Sequence, residues 1–143
     1  AREPREPEGW KRFDALMPAF PDACELSRVG LKDWDGGKWI CGLEKIPDSK
    51  ERPCVVYSIG SNDQYDFEGV VRETTNCTVE TFDCTAEGAL PGYMRDRVRF
   101  HKICLGNPAD ADAAAGMKFM TLRQIMAMLG HEYVTLLKAD IEG

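Results

Sequence analysis

The stretch VVYSIGSNDQYDFE, residues 55–68, decides the fold. It begins as a short, β-branched apolar run, which predicts a buried strand, and Gly60 breaks that run. Ser61 and Gln64 have the spacing of a capping box, so a helix is predicted to follow directly. Its apolar stripe consists of Phe67, Val70 and Val71. Three interpretations are open from this stretch alone: a phosphate-binding turn, the methionine-binding turn of a methyltransferase, or a capped helix start without a ligand.

Similar patterns recur along the chain and set the fold class. TVETFD (78–83), VRFHKICL (98–105) and YVTLLKADIEG (133–143) each read as a strand. TLRQIMAMLG (121–130) reads as a helix, with a capping box at Thr121 and Gln124 and Gly130 as its left-handed end. The alternation predicts an α/β fold: a Rossmann-like, mostly parallel sheet of about four strands with flanking helices.

Length and charge narrow the classes of function. The chain has 143 residues and a net charge of −6, without the basic cluster that nucleic-acid binding requires. No apolar run approaches the roughly 20 residues of a membrane span. We therefore expect no nucleic-acid partner and no membrane span in this segment; the oligomeric state stays open. We predict that residues 1–32 are disordered or a linker with a short helix near residues 10–20, and that residues 33–143 form the domain.

The cysteine pattern leaves the compartment open. None of the six forms C-x-x-C, so no zinc site is predicted. They are either small buried hydrophobic residues or disulfide partners in an oxidising compartment. The glycosylation sequon at Asn76 favours the secretory pathway over the cytoplasm. Cys41 and Cys54 flank the segment that leads into the first predicted strand, so we expect them to lie close enough for a disulfide.

Three predicted strands end in residues suited to a ligand. Ligands bind beyond the carboxyl ends of parallel strands, where Gly60, Ser61 and Asn62, then Asp83, and then Asp140 fall. The fingerprint G-x-G-x-x-G is absent, which argues against a dinucleotide. Asp83 follows Gly60 by 23 residues, and a carboxylate at that distance can accept both ribose hydroxyls.

Other polar residues receive weaker assignments. Asp140 and Glu142 share one side of an extended strand and are the candidates for catalysis, with capping as the alternative. Asp33-Trp34-Asp35 matches an acid-x-acid metal motif but precedes two glycines, so we interpret it as a solvated turn and predict no metal. Lys138 is expected to face solvent or lie at a sheet edge. His101 and His131 lack a Ser or Cys partner at a recognisable spacing and receive no catalytic role.

Two segments resemble a known family. TLRQIMAMLGHEYVTLLKADIEG (121–143) resembles the T-L-x-x-[LI]-…-L-K-x-D-[IV]-E-G segment of FkbM-type methyltransferases. DGGKWIC (35–41), together with residues 55–68, resembles more specifically the family called methyltransferase domain 22. The resemblance spans residues 33–143. It implies the class I S-adenosylmethionine-dependent fold of seven strands, of which this chain would hold the N-terminal four and be a C-terminally truncated, inactive fragment.

The resemblance also implies positions for the methyl donor. Gly60, Ser61 and Asn62 would face its methionine end, Asp83 its ribose, and Asp140 the transferred methyl. The residues implied near the adenine are Ile103, Cys104 and Leu105. The sequence departs from many class I enzymes at Ser58, where they carry an acid, and at Gln64, where they carry glycine.

The expected function is S-adenosylmethionine-dependent methyl transfer to a nucleophile, a hydroxyl of a small molecule or sugar. Two alternatives stay open: a nicotinamide-dependent oxidoreductase, and a non-catalytic methyltransferase-like interaction domain.

Overall fold

The computed structural model describes residues 26–31, 36–110 and 116–141. The strands are β1 (Leu26–Val29), β2 (Lys38–Cys41), β3 (Val55–Ile59), β4 (Thr78–Phe82), β5 (Val98–His101), β6 (Cys104–Leu105), β7 (Phe119–Met120) and β8 (Leu136–Ala139). The α-helices are α1 (Asp66–Thr74) and α2 (Leu122–Leu129). Single 3-10 turns lie at Leu43–Lys45, Gly92–Met94 and Pro108–Asp110.

The main sheet has four parallel strands in the order β5-β4-β3-β8. This confirms the predicted α/β, Rossmann-like architecture. The chain runs outward from β3 through β4 to β5 and then returns to the other side of β3 as β8. The strand order therefore reverses between β3 and β8, and such a switch point opens a crevice at the carboxyl ends of the strands. Two small sheets accompany the main one: antiparallel β1–β2 and parallel β6–β7.

Each face of the main sheet packs against one helix. On one face, Phe67 and Val71 of α1 belong to the cluster that contains Val56, Val79 and Val98. On the other face, Ile125 of α2 belongs to a cluster with alternate residues of the same strands, namely Val55, Tyr57, Ile59 and Phe82. Because both faces of β3 are covered, its sequence is a continuous buried run rather than an alternation.

The two helix starts differ in outcome. The capping box of α2 is confirmed: the Thr121 hydroxyl accepts from the Gln124 amide, and the Gln124 side chain accepts from the Thr121 amide. Gly130 ends this helix at φ 71°. The capping box predicted at Ser61 and Gln64 is wrong. Helix α1 begins only at Asp66, because the amide of Ser61 bonds to a distant carboxylate instead.

Two further local predictions are corrected. The single strand expected over residues 98–105 breaks after His101, where the Ile103 amide turns back to the His101 carbonyl, and β6 then pairs with β7. The expected proximity of Cys41 and Cys54 as a disulfide pair is wrong, because Cys54 is bonded to Cys77. The predicted helix near residues 10–20 and the Asp33-Trp34-Asp35 turn lie outside the described residues. Within the described ranges, no helix is long and apolar enough to cross a membrane.

A second disulfide joins Cys84 to Cys104, and Cys41 is also disulfide-bonded. These bonds are compatible with an oxidising compartment.

A fully buried carboxylate joins β4 to β5. Glu80 is 0% exposed, and it accepts bonds from Arg99 Nη1 at 3.0 Å and makes a 2.6 Å contact with His101 Nε2. Arg99 and His101 are two residues apart on one strand, so their side chains leave it on the same face. Burial alone raises the pKa of Glu80, but the contacts with His101 and Arg99 outweigh burial and hold the pKa below its ordinary 4.5.

This network predicts a pH-dependent contribution to stability. A carboxyl whose pKa is depressed by folding stabilises the fold above its ordinary pKa, and that stabilisation is lost as the pH falls through the folded-state pKa. We expect Glu80→Gln to lower the free energy of unfolding at pH 7 by about 1–3 kcal/mol, the scale for hydrogen bonds to charged groups. The deficit should shrink as the pH drops below 4.5. Urea denaturation from pH 3 to 7 measures both effects.

The matched control is Asp96→Asn, since Asp96 pairs with Arg72 at an exposed position and surface pairs contribute little. Equal pH-dependence of stability in the parent chain and in Glu80→Gln would contradict this account.

Candidate functional site

A cavity of about 780 Å³ opens at the carboxyl ends of β3, β4 and β8, at the switch point of the sheet. Every predicted donor-site residue that the sequence singled out lines it: Gly60, Ser61, Asn62, Asp83, Ile103, Cys104 and Leu105. Asp140 lines the same cavity. Glu142, the other predicted catalytic residue, lies outside the described residues. The structure thus brings together residues that are up to 80 positions apart, from Gly60 to Asp140.

Gly60 is required by the packing between two strand ends. It has φ +79°, a conformation that favours glycine. A Cβ atom there would lie 2.0 Å from the carbonyl oxygen of Asp140. The Gly60 amide bonds to the Phe82 carbonyl and the Asp140 amide to the Ile59 carbonyl, each at 2.9 Å. Glycine is needed at residue 60 because this position of the turn packs directly against the end of β8.

The carboxylate of Asp83 organises the turn after β3. Its Oδ2 accepts from the amides of Ser61 (3.0 Å) and Asn62 (2.7 Å). Its Oδ1 accepts from the Thr85 amide and hydroxyl and from the Ala86 amide, at 2.8–3.1 Å. Burial raises the pKa of Asp83, but these bonds outweigh it and hold the pKa below 3.8. A carboxylate has about four lone-pair positions, so a ribose hydroxyl would have to share or replace one of these donors.

Asp63 makes the reciprocal connection, which the sequence analysis missed. Its carboxylate accepts from three successive amides of the loop after β4, those of residues 87–89, at 2.8–3.0 Å, and from the Tyr65 hydroxyl at 3.0 Å. Backbone bonds from Glu87 and Ala89 are the main reason that the pKa of Asp63 lies below its ordinary value. Asp83 therefore reaches back to the β3 turn and Asp63 reaches forward to the β4 loop. The sequence signal that could have revealed this turn was the pair Asn62-Asp63, because Asn and Asp tolerate positive φ.

Asp140 contributes a second carboxylate to the cavity and lies between two lysines. Its Oδ2 is 2.8 Å from Lys38 Nζ on β2 and 3.8 Å from Lys138 Nζ on β8. The first of these ion pairs links the β1–β2 hairpin to the end of the main sheet. The side chain of Asp140 remains 39% exposed, so the carboxylate is accessible from the cavity.

Of the two positions predicted for Lys138, the sheet edge is confirmed and the solvent-facing one is wrong. Lys138 lies on the outer described strand of the main sheet, but it is only 8% exposed. Its Nζ donates to the carbonyl of Gly60 at 2.6 Å. Burial lowers the pKa of Lys138, and attraction to Glu68 and Asp140 opposes that shift. The ammonium group thus fixes the backbone of the β3 turn from below.

Glu68 supplies a buried acid under the same turn. It is 1% exposed, and its carboxyl lies near the hydroxyls of Ser58 and Thr81. Burial is the main reason that the pKa of Glu68 is raised. The sequence analysis missed this residue, although its spacing to Val71 of three positions places it on the packed face of α1. The sequence signal that could have revealed Glu68 was its position, as an acid, on the apolar face of a predicted helix.

The cavity has one apolar side and one acidic side. The apolar side includes Ile103, Leu105 and Phe119, held by the β6–β7 pair. Asp66, Asp83 and Asp140 contribute three carboxylates to the lining, and Lys138 contributes the one ammonium group among its described residues. In the part of the chain that the structure describes, no cluster of three or more His, Cys, Asp or Glu side chains is arranged to hold a metal.

The role of Asp83 in the fold is testable by removing one acceptor. We expect Asp83→Asn to lower the free energy of unfolding by about 1–3 kcal/mol, because its amide nitrogen would face backbone donors that need an acceptor. Asp63→Asn is the matched control, since it also removes bonds to backbone amides but lies outside the cavity lining. Chemical denaturation measures the loss of stability in both. A fully stable Asp83→Asn would show that the turn after β3 holds without this carboxylate.

Comparison with known proteins agrees with the fold. No curated protein and no solved structure matches the chain significantly. A family model does match it, over residues 3–143. That model, Methyltransf_22, is described as a methyltransferase domain. The match covers nearly the whole sequence, and the chain therefore belongs to the Methyltransf_22 family of methyltransferase domains.

Proposed function

We propose that the cavity binds S-adenosylmethionine and that the domain transfers its methyl group to a hydroxyl of a small molecule or sugar. The observation that carries the proposal is the Asp83 carboxylate on the amides of Ser61 and Asn62. In a phosphate-binding turn, such amides point at the ligand. Here their acceptor is built into the protein.

The acidic lining supports a cationic donor over a dinucleotide. Among its described residues, the lining holds three carboxylates and one ammonium group, and Lys38, which pairs with Asp140, adds a second cation, so negative charge remains in excess. A sulfonium ion is attracted by that balance, whereas a pyrophosphate is repelled by it and finds the amides of residues 61 and 62 already used. The lack of the second and third fingerprint glycines points the same way. The nicotinamide alternative is therefore disfavoured on charge as well as on sequence.

The two sides of the cavity suit the two ends of this donor. We assign the apolar side, with Ile103, Cys104 and Leu105, to the adenine. We assign Asp83 and its neighbours to the ribose, and the turn formed by Gly60, Ser61 and Asn62 to the methionine end. The volume of about 780 Å³ falls within the range of roughly 300–1,000 Å³ for small-molecule sites.

When bound, the donor supplies an electrophilic methyl group. The chain's own contribution is to position the acceptor, exclude water and remove a proton. Asp140 is the residue we assign to the acceptor hydroxyl, as orienting group or proton acceptor, and Glu142 is the alternative. The ion pairs of Lys38 and Lys138 with Asp140 both reach Oδ2, which helps to orient the carboxylate.

We also place the protein in the secretory pathway rather than the cytoplasm. Two disulfides lie in the described part of the chain, and the sequon residue Asn76 is exposed.

Calorimetric titration tests donor binding. The chain should bind S-adenosylmethionine and its demethylated product, and NAD or NADP should give no heat above dilution. Saturable binding of NAD with no response to S-adenosylmethionine would refute the proposal and restore the nicotinamide alternative. Asp83→Ala should weaken donor binding by about 1–3 kcal/mol, with Asp63→Ala as the control outside the cavity.

The role of Asp140 is tested kinetically. In the complete protein, Asp140→Asn keeps the shape of the side chain but removes its charge and basicity, so turnover on a responsive acceptor should fall at least ~10²-fold. Donor affinity and thermal stability are measured on the same sample to show that the site persists. Normal turnover of Asp140→Asn would assign Asp140 a structural role only. Donor binding without turnover by the complete protein on a broad panel of hydroxyl acceptors would point to the non-catalytic alternative.

A further inference from the structure

We propose that the Cys84–Cys104 disulfide positions the wall of the donor cavity, and that its reduction by a dithiol weakens donor binding. The inference rests on the proposed function for the identity of the ligand, but the geometry it invokes belongs to the cavity itself.

The disulfide joins the acidic side of the cavity to its apolar side. Cys84 directly follows Asp83, and Cys104 lies between Ile103 and Leu105; all five residues line the cavity. The two Cα atoms are 4.9 Å apart. A covalent bond therefore crosses from the segment that would contact the ribose to the segment that would contact the adenine.

Hydrogen bonding alone does not join these two segments. The β4–β5 ladder ends with the bond from the Asp83 amide to the His101 carbonyl, at 3.1 Å. Beyond it, the amide of Cys104 bonds to the Lys118 carbonyl, so β6 belongs to a different sheet. Among the described residues, no hydrogen bond connects residues 84–86 to residues 103–105. The disulfide is thus the covalent link between the two segments, and it adds to the apolar packing of Ile103 and Leu105 against the main sheet.

Loss of this disulfide is expected to loosen the turn after β3. Cys84 lies between Asp83 and Thr85, and the Asp83 carboxylate bonds the amides of Thr85 and Ala86 on one side and of Ser61 and Asn62 on the other. Movement of residue 84 changes the position of its neighbour Asp83. The predicted effect of reduction is a looser turn at residues 60–62 as well as a looser apolar wall.

Of the disulfides Cys84–Cys104 and Cys54–Cys77, accessibility favours Cys84–Cys104 as the one that a reductant opens earlier. Cys84 is partly exposed, whereas Cys54 and Cys77 are 2% and 1% exposed. A dithiol thiolate attacks Cys84 Sγ, and Cys104 leaves as a thiolate that takes up a proton. The second thiol of the reductant then releases Cys84 as a thiol, and the reductant leaves as a disulfide. Two electrons pass to the protein, and one sulfur–sulfur bond is exchanged for another.

The other disulfide provides a matched control. Cys54–Cys77 closes a sequence separation of 23 residues and Cys84–Cys104 one of 20, so loop-closure entropy predicts similar stabilisation from each. Cys54 and Cys77 directly precede β3 and β4, at the end of the sheet opposite to the cavity. C84S/C104S and C54S/C77S therefore remove comparable crosslinks, but only the first pair touches the site.

The experiment compares donor affinity and amide hydrogen exchange in the oxidised chain and in both double variants. C84S/C104S should raise the Kd for S-adenosylmethionine about tenfold, corresponding to ~1.4 kcal/mol, and C54S/C77S should leave it within about twofold. Exchange at the Ser61 and Asn62 amides should accelerate in C84S/C104S alone. In the unmodified chain, stepwise addition of dithiothreitol, with alkylation and mass spectrometry, should open Cys84–Cys104 before Cys54–Cys77, and affinity should fall as the Cys84–Cys104 bond is lost.

Equal effects of the two double variants on affinity and exchange, or no effect of either, would overturn the proposal. If C84S/C104S fails to fold, the dithiothreitol series decides: unchanged exchange at Ser61 and Asn62 after Cys84–Cys104 has opened is a negative result. If the oxidised chain does not bind S-adenosylmethionine at all, the proposed function fails. The exchange comparison still decides whether this disulfide positions the cavity wall.

Discussion

The carboxylate of Asp83 is the interaction on which the rest of the site depends. It accepts hydrogen bonds from backbone amides of the turn after β3 and of the loop after β4. A buried amide without an acceptor would lower the free energy of unfolding. Because these bonds need the turn in its observed shape, Asn62 and Asp63 adopt positive φ and helix α1 starts only at Asp66. One side chain thereby fixes where a strand ends, where a helix begins and how two loops meet.

That arrangement also determines the charge that a ligand meets. In nucleotide-binding turns built for phosphate, the protein supplies donors and the ligand supplies the negative charge. Here the negative charge is already part of the protein, and Asp66 and Asp140 add to it within the same cavity. The cationic ligand that we propose would be attracted by these carboxylates, of which Asp83 is also needed by the fold. The buried Lys138 compensates for part of them from beneath the Gly60 carbonyl.

Local patterns in the sequence were sufficient for the elements and for the approximate location of the site. The apolar run at β3, the capping box of α2 and the acids at strand ends are all encoded within a few residues of where they act. The errors arose where a distant partner outcompetes a local one. Ser61 matches a capping box, but Asp83 takes its amide. Residues 104–105 continue a strand pattern, but Phe119 and Met120 pair with them. Lys138 is buried because its ammonium group donates to the Gly60 carbonyl and is attracted by Glu68. The hydrophobic periodicity of the sequence does not reveal these partners.

The placement of Cys77 at the start of β4 has a consequence for how the sheet forms. Parallel strands such as β3 and β4 are joined by a long crossover, so their pairing is intrinsically slow. A bond between Cys54 and Cys77 closes that crossover, 23 residues along the chain, just before the first paired residues, Val55 and Thr78. Once it has formed, the two strands start from one fixed point and can align residue by residue. A slip of one position, which would turn every side chain to the wrong face, is then excluded by covalent structure, and oxidation becomes a step in choosing the register.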